Sequence, residues 1–187
     1  MGNRMSKTSK LTPNISPGNI SPSDDPGLAD EVLRAVHNVC QKRGILWFIY
    51  AGTLLGLYRD GTWTEDNDVD VVLLCSEEDY QSIWSELAHL PDWTDSSGLR
   101  KGEIQLDLKH ISPDPPYTPP SWKPHPFSYT EFEVLEYEGM EILAPCPIEG
   151  YLEWAFTENW RIPMSREAWR PIVDWMQRRV YGERKSF

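Results

Sequence analysis

The 187-residue sequence lacks several features that mark specialised classes of protein. It has no apolar run close to the roughly 20 residues that a membrane helix requires, and no charged and then apolar segment opens the chain like a signal peptide. Its three cysteines, Cys40, Cys75 and Cys146, are odd in number and widely spaced, which favours reduced thiols over disulfides or a zinc site. We therefore expect a cytoplasmic protein without a transmembrane segment.

Positive charge is also scarce. The chain has 18 Lys and Arg residues against 29 Asp and Glu residues, a formal net charge of −11. Binding along a nucleic-acid backbone requires a cationic surface, so we expect no such binding. Any nucleotide ligand would have to be held locally, with a metal ion shielding its phosphates.

What is present is the composition of a globular protein, with 40% hydrophobic and 25% charged residues. Residues 1–26 are rich in Ser, Pro, Asn and Lys, which predicts a disordered tail. The length and composition of residues 27–187 predict a single domain with a core of its own.

A glycine-containing turn separates two predicted strands. Apolar runs of strand length lie at residues 45–50 and 69–74. Gly52 and Thr53 follow the first run, and small residues at a strand end let a phosphate approach backbone N–H groups. Leucines at residues 54–57 predict a short helix that begins there, and a helix N-terminus favours an anion.

Two acids open the second predicted strand. Because side chains alternate along a strand, Asp68 and Asp70 face the same side. Two carboxylates about 4 Å apart repel each other by about 4 kcal/mol at an effective dielectric constant near 20. A divalent cation offsets that repulsion, and Mg²⁺ prefers carboxylate and phosphate oxygens. An EF-hand loop is excluded because Val71 stands where that loop needs glycine. The alternative is a solvated turn at residues 66–68.

This combination resembles the nucleotidyltransferase superfamily and, within it, the LicD/fukutin-like family. Residues 52–56 (Gly-Thr-Leu-Leu-Gly), followed by Arg59, match the family's opening motif. Residues 66–70 (Asp-Asn-Asp-Val-Asp) match its acidic motif. The resemblance covers roughly residues 30–163, with the specific part at residues 50–74. It implies an α+β fold in which helices pack against a small mixed β-sheet.

The resemblance also implies a third carboxylate on a neighbouring strand. Residues 103–109 alternate strictly between polar and apolar side chains, which predicts a strand. Asp107 is the match we choose, and Glu103, on the same face, is the alternative. An ordinary polar position on a half-exposed strand would also account for Asp107. We interpret Lys109 and His110 as solvated side chains.

The function implied by the resemblance is that of an Mg²⁺- or Mn²⁺-dependent enzyme. LicD-like proteins pass a phospho-alcohol group from a nucleotide-activated donor, such as a CDP-alcohol, to a glycan. Three carboxylates would bind metal and catalyse, with Asp107 as a base, and three residues would bind the donor. The six are Asp68, Asp70, Asp107, Gly52, Thr53 and Arg59. Nucleotidyl transfer to a protein or small-molecule acceptor uses the same carboxylates.

A non-catalytic protein that binds a nucleotide or a partner is the alternative of a different class. Asn67 stands where the family's acidic motif has an acid, and Phe156-Thr157 replaces the family's usual Tyr-Gly. The carboxylates and the glycine motif favour the enzyme.

Other segments have ordinary structural interpretations. Residues 26–43 and the segment after Ser76 have helical periodicity, and a hairpin is predicted around Glu138-Gly139. Residues 148–163 predict a helix closed by Pro163, and another helix is predicted from Ser165. Among the nine tryptophans, we reserve only Trp63, in the motif loop, for stacking on a base.

A proline-rich segment at residues 112–127 contains seven prolines, so it cannot form regular structure. It could serve as a lid over the acceptor, as a wrap that packs aromatic side chains on the core, or as a polyproline ligand. We favour the wrap.

Overall fold

A computed structural model describes residues 8–9, 26–64, 67–112 and 131–163. Two sequence predictions, the helix that begins at Ser165 and the structure of the proline-rich segment, therefore lie outside the described residues, and so does most of the predicted disordered tail. Within that tail, Thr8 and Ser9 form a short strand and Pro26 begins a helix, so the prediction of disorder is wrong for these residues.

A single mixed β-sheet forms the centre of the fold, and helices pack against it, which confirms the predicted α+β class. The strand order is β1-β7-β8-β2-β3-β6-β5-β4. The strands are β1 (Thr8–Ser9), β2 (Leu46–Ile49), β3 (Asp68–Leu74), β4 (Trp93–Thr94), β5 (Arg100–Lys101), β6 (Ile104–Ile111), β7 (Phe132–Tyr137) and β8 (Met140–Pro145). The pairs β1–β7, β2–β8 and β3–β6 are parallel, and the other four pairs are antiparallel.

The helices lie between the strands in the chain. They are α1 (Pro26–Arg43), α2 (Ala51–Leu55), which continues as a π-helical segment (Gly56–Asp60), α3 (Glu77–Ala88), α4 (Ile148–Phe156) and a 3₁₀ helix (Glu158–Arg161). Helix α1 packs on β2, β3, β6 and α3, whereas α4 packs on β8 and α2. Within the part of the chain that the structure describes, no helix has the length and apolarity needed to cross a membrane.

Local sequence signals set the C-terminus of α1 and the N-terminus of α3. Helix α1 ends before Gly44, whose φ of 67° is a conformation that glycine adopts at low cost. Helix α3 begins after Ser76, whose side-chain oxygen accepts a hydrogen bond from the backbone N–H of Asp79 at 3.1 Å. Both helices begin where the sequence predicts.

Helix α4 corrects the prediction of one helix from residue 148 to Pro163. It ends at Phe156, because Thr157 adopts φ of 70° and so leaves the right-handed helical region. The Thr157 hydroxyl then accepts a hydrogen bond from the N–H of Asn159 at 3.4 Å and starts the separate 3₁₀ helix.

The predicted hairpin is present as β7 and β8. Glu138 and Gly139 connect the two strands and both have positive φ, 48° and 77°. A two-residue turn with positive φ at both positions matches the twist of paired strands. The hairpin places β8 beside β2, next to the strand that carries the acids.

Two of the cysteines lie in the core. Cys40, in α1, and Cys75, directly after β3, are buried. Burial raises the pKa of the Cys40 thiol to about 12 and that of Cys75 to about 11. These thiols are therefore protonated and unreactive at neutral pH.

Candidate active site

Three carboxylates meet on one face of the sheet where β3 and β6 run side by side. The register pairs Asp70 directly with Asp107 and Asp68 with Gln105. Residues opposite one another on adjacent strands point to the same face, and so do residues two apart on one strand. The sheet thus brings together Asp68, Asp70 and Asp107, the three acids selected from the sequence.

The Asp70 carboxyl group is the buried member of this acidic centre, with 6% of the residue exposed. Burial raises the pKa of Asp70 well above its usual value, and the charges of Asp68 and then Asp107 raise it further. The backbone hydrogen bond from Thr53 and the charge of Lys109 act in the opposite direction. Asp70 is therefore a carboxyl group whose ionised form is disfavoured until a cation is close.

Thr53 fixes the position of Asp70. Its backbone N–H donates to Asp70 Oδ2 at 3.2 Å, and its hydroxyl oxygen accepts from the backbone N–H of Asp70 at 2.8 Å. Thr53 itself is only 2% exposed. Its backbone N–H and its hydroxyl group both bind Asp70, so Thr53 holds the Asp70 side chain in place. Nothing in its surroundings supports the predicted direct contact with donor phosphates.

The first amides of α2 are also largely engaged. The Ala51 N–H donates to the Tyr151 hydroxyl of α4 at 3.1 Å, and the Thr53 N–H binds Asp70. Ala51 has φ of 47°, a left-handed conformation that costs a residue with a side chain about 1–2 kcal/mol. Half-buried Gly52 lies between these two amides. The anion that the helix N-terminus binds is thus a carboxylate of the chain itself.

The residue that begins the motif, Tyr50, belongs to the same site as Lys109, although neither was selected from the sequence. Lys109 Nζ lies 2.7 Å from Asp107 Oδ2, and the Tyr50 hydroxyl donates to the same oxygen at 2.9 Å. Lys109 also donates to the Tyr50 hydroxyl at 2.5 Å. This Tyr50–Lys109–Asp107 network corrects the interpretation of Lys109 as solvated. The strict alternation of β6, which places Lys109 on the face of Asp107, could have indicated it.

The guanidinium group of Arg59 binds other parts of the chain. Arg59 binds its neighbour Asp60 through two nitrogens, at 2.8 and 2.6 Å, and donates to the Trp160 carbonyl oxygen at 3.0 Å. Its side chain is 8% exposed. Arg59 thus joins the π-helical segment to the 3₁₀ helix, and no described contact connects it to the acidic centre.

Two further sequence interpretations need correction. Glu103, the alternative third carboxylate, is exposed in the turn before β6 and not on the strand. Trp63, reserved for base stacking, is buried, and its indole N–H donates to Asp30 Oδ1 at 2.7 Å. Its ring packs edge-on against Tyr137. Trp63 is a core residue that links α1 to the hairpin.

Gly56, the second glycine of the motif, has a steric explanation. A Cβ atom there would lie 2.7 Å from the Thr62 carbonyl oxygen and 3.0 Å from the Thr64 backbone nitrogen. The backbone on the C-terminal side of the π-helical segment passes too close for any side chain. This close approach, and not ligand binding, explains the glycine.

A metal ion can be tested against these side chains. Among residues 8–9, 26–64, 67–112 and 131–163, no three His, Cys, Asp or Glu side chains form a group spaced to hold a metal ion. Mg²⁺, however, is commonly held by one or two carboxylates, with water and substrate phosphates completing its shell. Asp68 and Asp70 supply two carboxylates whose mutual repulsion a cation would relieve. This donor set fits Mg²⁺ or Mn²⁺.

No family model matches the chain, and no curated protein matches it. A functional assignment therefore rests on the residues and geometry described above and on the motif resemblance of residues 50–74.

Proposed function

We propose that this protein is an Mg²⁺- or Mn²⁺-dependent transferase. It moves a phospho-alcohol or nucleotidyl group from a nucleotide-activated donor, such as a CDP-alcohol, to a hydroxyl group of a glycan or other acceptor. The observation that carries the proposal is the buried Asp70 carboxyl group, held by Thr53 and flanked by Asp68 and Asp107. A fold gains no stability from such an arrangement, so a ligand is its best explanation.

Asp68 and Asp70 would hold the metal ion. When bound, the ion would neutralise the charge on the donor's phosphate oxygens. Transfer at phosphorus needs mainly positioning and charge neutralisation, so a fixed pair of carboxylates is the main contribution of the protein. The two hydrogen bonds between Thr53 and Asp70 provide that fixed position.

Asp107 is the best placed base for the acceptor. Its side chain is 37% exposed, in contrast to the buried Asp70, and can be reached by a hydroxyl group from solvent. Lys109 and Tyr50 both bind Oδ2, which orients the carboxylate. Proton transfer to Asp107 would make the acceptor oxygen a better nucleophile.

Two donor-binding roles change from those expected. Arg59 and Thr53 are engaged within the protein, so Lys109 is the cation that lies nearest the acids among the described contacts. Of the predicted donor-binding residues, Gly52 remains as a site where phosphate could meet backbone.

A thermal-shift screen tests the proposal. Mg²⁺ or Mn²⁺ is combined with CTP, ATP, CDP-choline or CDP-ribitol, and we expect stabilisation that needs both metal and one donor. The Asp68→Asn variant should lose transfer activity by orders of magnitude, with unchanged or higher metal-free stability because a like-charge repulsion is removed. Full activity in that variant would end the proposal.

A non-catalytic nucleotide-binding protein is the second candidate. The ion pair between Lys109 and Asp107 favours it, because an internal cation already occupies one of the three carboxylates. Donor-induced stabilisation that is independent of metal, without turnover of any acceptor, would support this candidate against the transferase.

A further inference from the structure

We propose that Asp107 is not a metal ligand, and that the acidic centre admits one divalent cation, held by Asp68 and Asp70. Lys109 acts in place of a second cation, as a positioning residue that keeps Asp107 oriented. This inference rests on the proposed function, and it specifies how many ions the site takes and which carboxylate remains available to the acceptor.

The contacts of Asp107 carry the first step. Lys109 Nζ and the Tyr50 hydroxyl both donate to Oδ2, at 2.7 and 2.9 Å. A metal ion at Oδ2 would have to displace two donors, one of them positively charged, and a metal ion at Oδ1 of the same carboxyl group would still lie close to the ammonium group. A divalent ion close to the ammonium would also be repelled by it.

The second step is that Lys109 is held firmly. Its ammonium group binds the Tyr50 hydroxyl at 2.5 Å and lies 5.0 Å from the centre of the Tyr50 ring. Its side chain is 23% exposed and that of Asp107 is 37% exposed, so solvent screens the pair only in part. Tyr50 is itself buried at the end of β2. The cation is therefore part of the folded site and does not swing freely in solvent.

Charge balance gives the third step. The ionised Asp68, Asp70 and Asp107 contribute three negative charges, and Lys109 contributes one positive charge. The remaining two negative charges are neutralised by one divalent ion. In the absence of donor phosphates, a second divalent ion would leave the centre with an excess of positive charge in a partly buried place, which is unfavourable.

Mn²⁺ titration of the full chain tests the inference, with calorimetry for affinity and electron paramagnetic resonance to count bound ions. Wild type should bind one Mn²⁺ at the centre. Lys109→Met should bind Mn²⁺ about tenfold more tightly, or better, because an uncompensated carboxylate is added. Lys101→Met is the matched control, since Lys101 pairs with Glu31, a residue outside the acidic centre, and its Kd should stay that of wild type.

The double variant Lys109→Met/Asp107→Asn distinguishes the two roles of Asp107. It removes the ion pair without changing the charge of the centre, so its Kd for Mn²⁺ should lie within about threefold of wild type. If Asp107 is a ligand, this variant instead loses affinity by a large factor, and the inference is wrong.

Wild type alone decides how many ions the centre takes, even if a variant fails to fold. Two ions bound at the centre would overturn the inference and leave the proposed transferase intact. No ion bound by wild type, alone or with any donor of the screen, would overturn the proposed function itself and the inference with it.

Discussion

The molecule contains two groups of three acids in opposite surroundings. In the first turn of α3, Glu77 and Glu78 are exposed and Asp79 is half-buried. At the acidic centre, Asp70 is buried between Asp68 and Asp107 on paired strands. The first group stands in solvent at a helix N-terminus, which favours negative charge. In the second group, Asp70 is shielded from solvent, and its hydrogen bond from the first turn of α2 is opposed by burial and by the charges of Asp68 and Asp107.

The partners of the two groups differ as well. Glu77 accepts from Gln81 at 2.8 Å and lies 3.0 Å from His110, and Asp79 accepts from the Ser76 hydroxyl at 2.7 Å. These contacts explain the helix acids without a ligand. The pKa of Asp70, by contrast, is raised by burial and by its acidic neighbours. A cluster of carboxylates thus indicates a ligand site only where burial and repulsion oppose its ionisation.

Among the variants, Asp70→Asn should show the largest difference between the acidic centre and the helix acids. The change keeps the shape of the side chain and removes the charge, so we expect at least a 100-fold loss of transfer activity, roughly what loss of one key electrostatic group costs an enzyme. Activity is measured with the donor that gives the largest thermal shift. Glu78→Gln, in the helix group, should leave the rate at its wild-type value. Equal activity of the two variants would contradict the distinction.

Thr53→Val should show how far the position of Asp70 depends on one hydroxyl group. The Asp70 N–H loses its acceptor in a buried place, so the free energy of unfolding should fall by about 1–3 kcal/mol. Urea unfolding measures this. Thr94→Val on β4, where the side chain is exposed, is the control and should change stability by less than about 0.5 kcal/mol. Equal losses of stability in Thr53→Val and Thr94→Val would show that the Thr53 hydroxyl does not position Asp70.

In metal-free protein, the pH dependence of stability should also distinguish Asp70 from an ordinary carboxyl group. Because the pKa of Asp70 is raised in the folded state, its stabilising effect is present below the usual Asp pKa and is lost as pH rises through the raised value. Asp70→Asn removes that loss, so the free energy of unfolding of the variant should increase relative to that of wild type as pH rises. Urea midpoints of wild type and Asp70→Asn between pH 4 and pH 8 measure this gain. A constant difference for Asp70→Asn would show that its carboxyl group titrates normally.

Ser76→Ala should have the smallest effect. It removes the cap of α3 and should cost about 1 kcal/mol of stability without changing Mn²⁺ affinity. Ser85→Ala, at an exposed position within the same helix, is the control and should be neutral or slightly stabilising. A change in Mn²⁺ affinity in Ser76→Ala would link the helix acids to the centre after all.

Periodicity was sufficient to predict the elements that carry the site. Three- and four-residue spacing predicted α1 and α3, and two-residue alternation placed Asp68 with Asp70 and Asp107 with Lys109. Local patterns do not show on which side of β3 the strand β6 pairs, nor the register that places Asp70 opposite Asp107. Both depend on contacts between distant parts of the chain. Here the resemblance to a known superfamily, and not the local pattern, selected Asp107.

The cations were harder to predict than the acids. Arg59 is bound by the residue next to it and by a carbonyl oxygen about a hundred positions away, and only the folded backbone shows both. The sequence favours a solvated Lys109, because lysine side chains are mostly exposed. Its partner Tyr50 comes from a different strand end, so sequence spacing could not pair them. Trp63 was misjudged because a motif loop need not lie on the surface.

The central claim is that the buried Asp70 carboxyl group is positioned to bind a divalent cation. The most direct test is the melting temperature of wild type, Asp70→Asn and Glu78→Gln with increasing Mn²⁺, with and without CDP-choline. We predict that wild type and Glu78→Gln gain about 5 °C or more at a hundred times Kd, and that Asp70→Asn gains nothing. An equal gain in all three proteins, or no gain in wild type, would contradict the account.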